Sequence, residues 1–148
     1  EREARRRRIL SYGHTVGHGL EAWGRYSTWV HGEAVGIGMG QEASIGQFLG
    51  RCDRETVERQ TELIREVGLP VAMPQWAFAD MWNGRQHEKK VGKGQINCVI
   101  PERIGRVDVL PLRRPEIQKW FSQVAGSLRR TVAGRRRRVL PSRPSKKK

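Results

Sequence analysis

Residues 13–18 read Gly-His-Thr-Val-Gly-His, and residues 30–33 read Val-His-Gly-Glu. Three of the four histidines in this 148-residue chain therefore lie within eighteen positions of one another. If the first stretch is helical, its four-residue step places His14 and His18 on one face of the helix. His31 stands at the predicted start of a second helix, where its side chain can point back toward the earlier pair. The two stretches predict a cluster of imidazoles where two helices meet.

Hydrophobic periodicity outside these stretches predicts further helices and one β-hairpin. Residues 33–49 combine apolar side chains with several glycines, which is typical of a buried helix packed closely against its neighbours. Asp53 is a good N-cap for a helix that ends at Gly68, and Pro115 suits the first position of a last helix. Residues 94–110 alternate between apolar and polar side chains around a central turn. The predicted fold is mainly α, a multi-helix domain with one short β-hairpin.

The net charge of +14 is concentrated at the end of the chain. Residues 129–148 carry ten arginines and lysines and no acidic residue, so they account for ten of those fourteen charges. Their composition offers little apolar surface to bury, which predicts a disordered basic tail after a domain at residues 1–128. Such a tail can contact nucleic acid nonspecifically through counterion release, but a solvated tail without a dedicated partner is favoured over a nucleic-acid-binding function.

The cysteines and the apolar runs indicate a cellular compartment. Cys52 and Cys98 are far apart and form no CxxC pattern, which predicts two free thiols in a reducing environment rather than a disulfide framework. No apolar run approaches the roughly 20 residues that a membrane-spanning helix needs. The chain is therefore predicted to be a cytoplasmic protein without a membrane partner.

The spacing of His14 and His18 is also found in zinc proteases, where two imidazoles on one helix bind one ion. Those proteases carry a glutamate directly after the first histidine, whereas this chain has Thr15 there. The sequence therefore disfavours a zinc protease. A bare pair with this spacing is weak evidence for a metal, because hydrogen-bonded histidines are commoner than ligands.

The order of several short motifs resembles 3-dehydroquinate synthase and its sugar-phosphate cyclase relatives. The metal-binding signature of that family is matched by residues 10–18, 31–35 and 38–39. Its later segments are matched by Gly68-Leu69-Pro70, Glu88-Lys89-Lys90, Val99-Ile100-Pro101 and Gly105. The resemblance runs in collinear order from about residue 1 to residue 128. It implies the C-terminal helical, metal-binding domain of that family, including its terminal hairpin.

The resemblance implies a role for each histidine in the cluster. His14 and His31 would be ligands of a catalytic Zn²⁺, or of another divalent metal such as Co²⁺, and a glutamate from a more N-terminal segment would be the third. Three protein ligands leave one open position for substrate oxygens. His18 would lie near the substrate as a catalytic residue that relays a proton, because a neutral imidazole suits that task.

The resemblance also implies substrate-binding residues around the histidines. Arg7 would bind the substrate and take part in catalysis, since a guanidinium fork fits a carboxylate. Either Lys89 or Lys90 would reach the anionic groups of the substrate, and the sequence does not decide which. Ser11 stands where 3-dehydroquinate synthases normally have asparagine, a position that varies among cyclases with other substrates. Glu88 replaces the usual aspartate, which is a milder change.

The implied reaction converts 3-deoxy-D-arabino-heptulosonate 7-phosphate to 3-dehydroquinate and phosphate, a step of the shikimate pathway of aromatic amino acid biosynthesis. The enzyme is an NAD- and zinc-dependent carbon–oxygen lyase that oxidises one hydroxyl, eliminates phosphate, returns the hydride and closes a carbocycle. A sibling sugar-phosphate cyclase such as 2-deoxy-scyllo-inosose synthase is the first alternative. A non-catalytic helical module that binds a partner is the second.

Two parts of the enzyme are missing from this chain. It has no glycine-rich strand-to-helix turn of a nucleotide-binding domain and no upstream glutamate ligand. We therefore expect NAD to be bound mainly by an absent N-terminal domain, and the chain to be inactive without it. A homo-oligomer is compatible with the sequence. Glu21 and Glu33 are disfavoured as substitute ligands, because surface exposure explains Glu21 and a positive helix N-terminus explains Glu33.

Overall fold

The computed structural model describes residues 8–83 and 94–136, with side chains described up to residue 125. Its elements, in chain order, are α1 (His14–Trp23), α2 (His31–Phe48), α3 (Arg54–Glu66), α4 (Phe78–Asn83), β1 (Gln95–Arg103), β2 (Arg106–Arg113) and α5 (Arg114–Arg136). The prediction of a mainly helical fold with a short β-hairpin is confirmed. Arg7, Glu88, Lys89, Lys90 and residues 137–148 lie outside the described residues.

Helices α1 and α2 pack with their backbones in close contact, and glycines make this approach feasible. A Cβ built on Gly38 of α2 would lie 2.0 Å from the carbonyl oxygen of Gly13. One built on Gly17 of α1 would lie 3.1 Å from the carbonyl oxygen of Ala34. Gly13 itself has a φ of 80°, a left-handed conformation that suits glycine at the start of α1. The close packing predicted from the glycines of residues 33–49 is thus observed, and it brings the two histidine stretches together.

The hairpin and the last helix complete the core against the far side of α2. Strands β1 and β2 pair antiparallel, with Val99 opposite Val109, and the register shifts near Pro101. Gly105 takes the left-handed conformation in the turn. The side chains that this part of the fold buries are large and apolar or sulfur-containing: Ile96, Cys98, Ile100, Leu112, Ile117, Trp120 and Phe121. The strands extend from residue 95 to residue 113, slightly beyond the predicted range of 94–110.

Helix α3 begins and ends as its sequence indicates. The side chain of Asp53 accepts a hydrogen bond from the backbone N–H of Thr56 at 2.7 Å, which is the predicted N-cap. Beyond the helix, Gly68 has a φ of +80°, which is typical of a residue that follows a helix C-terminus. The N-cap residue and the glycine were therefore sufficient to predict where α3 begins and ends.

Helix α5 differs from the sequence expectation at its far end. It continues to Arg136, eight residues into the segment 129–148 that composition predicts to be disordered. Arginine and alanine, which make up five of residues 129–136, are good helix formers, so backbone hydrogen bonds can continue a helix where little apolar surface is buried. The helix thus crosses the predicted boundary at residue 128, and the rest of the predicted tail, residues 137–148, lies outside the described residues.

Two smaller predictions can be compared with the structure. Cys52 and Cys98 are both free and buried, which confirms two unpaired thiols. Within the described residues, the helices are too short or too polar for any of them to cross a bilayer.

Candidate metal centre

The three neighbouring histidines of the sequence form one cluster at the junction of α1 and α2. The ring centroid of His14 lies 5.4 Å from that of His18 and 5.3 Å from that of His31. The centroids of His18 and His31 are 6.1 Å apart. Residues separated by up to seventeen positions thus share one site, because α2 starts beside the face of α1 that carries the other two imidazoles.

The spacing of His14 and His31 suits a shared metal ion. With metal–nitrogen bonds of about 2.0–2.1 Å and a tetrahedral angle, two imidazoles on one ion place their ring centroids roughly 5 Å apart. The observed 5.3 Å is close to that value. The Nδ1 atom of His14 lies 3.2 Å from the carbonyl oxygen of Tyr12, a hydrogen-bond distance in which Nδ1 is the donor. In that tautomer Nε2 of His14 has a free lone pair, as a metal ligand requires.

A buried carboxyl group fixes the turn that carries His14. Glu42 of α2 is 0% exposed, and its two oxygens accept backbone N–H bonds from Gly13 at 3.1 Å, Thr15 at 3.1 Å and Val99 at 3.2 Å. These donors belong to the start of α1 and to strand β1, so one side chain joins three elements. Burial raises the pKa of Glu42 to about 8, although the backbone N–H groups that bond to it oppose this shift.

Sequence reasoning missed Glu42 as a residue of the site. The available signal was a carboxylate inside residues 33–49, a segment whose apolar composition already predicts burial. A buried carboxyl group needs several hydrogen-bond partners, and the free backbone N–H groups at a helix start are a common source of them. That signal points to a structural role but does not indicate which helix start the group contacts.

A second carboxylate lies inside the histidine cluster itself. The Oε1 atom of Glu21 lies 2.9 Å from Nδ1 of His31, and the Glu21 side chain is only 13% exposed. Glu21, His18 and His31 each offer one ligand atom, and these three atoms lie within 4.8 Å of one another. The interpretation of Glu21 as a surface-exposed residue is therefore wrong. Its position on α1, one turn after His18, directs it into the cluster instead of into solvent.

Glu33 behaves as its position at a helix N-terminus indicates. Its carboxylate accepts a hydrogen bond from the backbone N–H of Val30 at 3.1 Å, in the first turn of α2. This hydrogen bond holds the Glu33 carboxylate at the N-terminus of α2, where a negative charge is favourable. The explanation of Glu33 by the helix N-terminus is confirmed.

The predicted substrate-binding residues are only partly within the described part of the chain. Ser11 lies in the turn before α1, is exposed, and its carbonyl oxygen accepts the backbone N–H of His14 at 3.0 Å. Its backbone thus joins directly to the start of the helix that carries His14. Arg7, Lys89 and Lys90 fall outside the described residues, so their predicted roles stay predictions.

The residues that are present fit a divalent transition metal. Imidazole nitrogens with one or two carboxylate oxygens are the donor set that Zn²⁺ and Co²⁺ accept, often in tetrahedral geometry. The His31 side chain is 58% exposed, so one side of the cluster is open to solvent and to a further ligand. Within the described residues, such an arrangement can bind an ion and still leave a position for a substrate oxygen.

Comparisons with solved structures define the class of the fold. The chain superposes with a TM-score of 0.62 on 2-deoxy-scyllo-inosose synthase complexed with carbaglucose-6-phosphate, NAD⁺ and Co²⁺. That match has 20% identity and covers 74% of this chain and 33% of the other. A second structure of 2-deoxy-scyllo-inosose synthase gives a TM-score of 0.60 at 19% identity, covering 76% of this chain and 31% of the other. The chain therefore has the fold of part of 2-deoxy-scyllo-inosose synthase.

Sequence comparison gives the family within this class. The family model described as 3-dehydroquinate synthase C-terminal matches residues 1–91, and the chain belongs to that family. Its similar relatives include the 3-dehydroquinate synthases of Caldanaerobacter subterraneus subsp. tengcongensis, 40% identical over 119 residues, and of Synechocystis sp., 41% identical over 120 residues. Each match covers 80% of this chain and 33% of the relative. The chain thus spans about a third of the length of these relatives.

Proposed function

We propose that this chain is the metal- and substrate-binding part of a 3-dehydroquinate synthase. The complete enzyme would convert 3-deoxy-D-arabino-heptulosonate 7-phosphate to 3-dehydroquinate and phosphate, in the cytoplasm. The observation that carries the proposal is the 5.3 Å separation of the His14 and His31 rings, in a domain of the 3-dehydroquinate synthase C-terminal family. The relatives are named 3-dehydroquinate synthases, which supports this reaction. The histidine cluster is the proposed site of its chemistry.

In this proposal His14 and His31 would hold the metal, Zn²⁺ or Co²⁺, together with a carboxylate from a more N-terminal segment. The bound ion supplies Lewis acidity toward substrate oxygens. His18 lies beside His14, with their ring centroids 5.4 Å apart, so it would be placed to accept a proton from a substrate hydroxyl bound in the cluster.

The remaining roles concern substrate charge and the cofactor. Arg7 and one of Lys89 and Lys90 would neutralise the carboxylate and phosphate of the substrate through charge-assisted hydrogen bonds. Ser11 would contact the substrate from the turn before α1. NAD would be bound mainly by an N-terminal domain, and this requirement makes the isolated chain inactive. A homo-oligomer is part of the same proposal.

A chimera tests this proposal directly. Residues 1–128 would replace the corresponding C-terminal part of the Caldanaerobacter relative, and phosphate release would be measured with NAD, Zn²⁺ and the heptulosonate phosphate. We expect turnover by the chimera, none by the 148-residue chain alone, and loss of turnover in the chimera that carries His14→Ala. Glu66→Ala, on the exposed face of α3, is the matched control. Turnover by the isolated chain, or full activity of the His14→Ala chimera, would contradict the proposal.

Ser11 favours one alternative substrate. Because it stands where 3-dehydroquinate synthases normally have asparagine, the second candidate is a sibling cyclase of the 2-deoxy-scyllo-inosose synthase kind, for which glucose 6-phosphate is the test substrate. The same chimera, supplied with glucose 6-phosphate instead, distinguishes the two substrates by product analysis. A Ser11→Asn variant should improve turnover of the heptulosonate phosphate if this position decides between them.

A further inference from the structure

We propose that Glu21 is a positioning residue that sets the orientation and the tautomer of His31. Its Oε1 atom accepts the Nδ1–H of His31, which leaves Nε2 as the nitrogen that binds a metal ion. This inference rests on the proposed metal site at His14 and His31. It adds a residue on α1 that does not bind the metal but determines how a ligand on α2 is presented.

The first support is the contrast in burial between the two partners. Glu21 is 13% exposed and is held on α1, whereas His31 is 58% exposed. The His31 ring contacts the rings of His14 and His18 but keeps much of its surface in solvent. The 2.9 Å contact between Oε1 and Nδ1 restrains the ring. The carboxylate is thus the more buried partner, and in this proposal the histidine takes its orientation from it.

The second support is the arrangement of side chains along α1. His14, His18 and Glu21 are spaced four and three residues apart, so they follow one face of the helix. His31 is the first residue of α2, beyond the connection between the two helices. The contact between Glu21 and His31 joins the end of α1 to the start of α2. It therefore fixes the second metal-binding imidazole relative to the first.

Metal-binding histidines commonly donate their second ring N–H to a carboxylate or a carbonyl oxygen. Such a contact selects one tautomer, orients the ring and makes the ligating nitrogen more basic. His14 makes the corresponding contact to the carbonyl oxygen of Tyr12, at 3.2 Å. Both proposed ligands would then present the same nitrogen, Nε2, one through a backbone acceptor and one through Glu21.

The competing role for Glu21 is that of a ligand, since one of its oxygens lies within 4.8 Å of ligand atoms of His18 and His31. In that role Oε1 would bind the ion directly, and Nδ1 of His31 would be its neighbour in the coordination sphere. The hydrogen-bond distance of 2.9 Å favours the positioning role. The two roles predict different metal spectra, so one experiment can distinguish them.

The experiment uses the 148-residue chain as wild type, Glu21→Gln and Glu21→Ala, with Glu66→Ala as a matched control for the loss of an exposed charge. The first readout is metal-free. Histidine ¹⁵N shifts, recorded at about pH 8 where imidazoles are neutral, report the tautomer of each ring. We expect His31 to be protonated at Nδ1 in the wild type and in the control. In Glu21→Ala we expect it to shift toward protonation at Nε2.

The second readout is the affinity and the visible absorption spectrum of bound Co²⁺. Loss of a carboxylate partner of a metal-binding histidine typically weakens binding by about 10–100-fold, so we expect that range for Glu21→Ala. Glu21→Gln should lose less, because its amide oxygen still accepts the Nδ1–H. The shape and intensity of the absorption bands should persist in both variants, since the ligands are unchanged.

Two results would overturn the positioning role. The first is an unchanged His31 tautomer and unchanged Co²⁺ affinity in both variants. The second is a change of the Co²⁺ bands to those of a different coordination number, which would make Glu21 a ligand. If instead the wild type binds no Co²⁺ while the tautomer of His31 still depends on Glu21, the proposed metal site fails and the positioning of His31 is supported.

Discussion

Replacing Glu42 by glutamine tests how the fold tolerates a fully buried carboxyl group beside the histidine cluster. Glu42 has no exposed surface and is bonded to the backbone N–H groups of Gly13, Thr15 and Val99. Glutamine keeps the size of the side chain and one acceptor oxygen. Its amino group, however, would face at least one of these backbone N–H groups. That buried N–H group would lose its hydrogen-bond acceptor, which lowers the free energy of unfolding by about 1–3 kcal/mol.

The pH dependence separates this local cost from the cost of burying a charge. Burial raises the pKa of Glu42 from 4.5 to about 8, so between these pH values the folded chain retains a proton that the unfolded chain has released. This contribution to stability is complete below about pH 4.5. It decreases by roughly 1.4 kcal/mol per pH unit and is lost by about pH 8. Over the whole window the decrease is on the order of 5 kcal/mol.

The assay is urea unfolding at several pH values between about 5 and 9, with a chelator present, on the wild type and on Glu42→Gln. Subtracting the two free energies of unfolding removes the titration of the histidines, which both chains share. We expect the advantage of the wild type to shrink as the pH rises, because the variant has no carboxyl group to ionise. Glu66→Gln, an exposed substitution on α3, should run parallel to the wild type. If the wild type gains stability over Glu42→Gln with rising pH, the three backbone donors outweigh desolvation and the reasoning fails.

Three further substitutions test the packing around the site. Gly38→Ala should destabilise the fold by about 3 kcal/mol or more and weaken Co²⁺ binding, because its Cβ would lie 2.0 Å from the Gly13 carbonyl oxygen. Gly40→Ala should instead raise the free energy of unfolding by up to about 1 kcal/mol, because nothing lies within 4 Å of the added Cβ. Equal melting temperatures for Gly38→Ala and Gly40→Ala would contradict this account. Tyr12→Phe removes the hydroxyl that donates to the Met39 carbonyl oxygen and bonds to Gln60, so chemical denaturation should show a loss of about 1 kcal/mol.

The elements of the fold were predictable because each is encoded by short-range chemistry. The N-cap at Asp53, the glycine at residue 68 and the alternation in β1 are patterns that residues a few positions apart produce through backbone geometry. The C-terminal end of α5 was not predictable, because composition alone does not distinguish a charged helix from a charged coil. Helix propensity acts along the backbone, and it can continue a helix after its apolar surface ends.

The histidine cluster was predictable only in part, and the reason lies in the separation of its partners along the chain. His14 and His18 are related by one helical turn, so their common face follows from spacing. Glu21 meets His31 only because the connection after α1 reverses the chain, and Glu42 meets Val99 across 57 positions. A local pattern cannot distinguish the buried Glu42 and the mostly covered Glu21 from exposed carboxylates. Their roles follow from close contact between helices, which the glycines make feasible and which only the three-dimensional structure specifies.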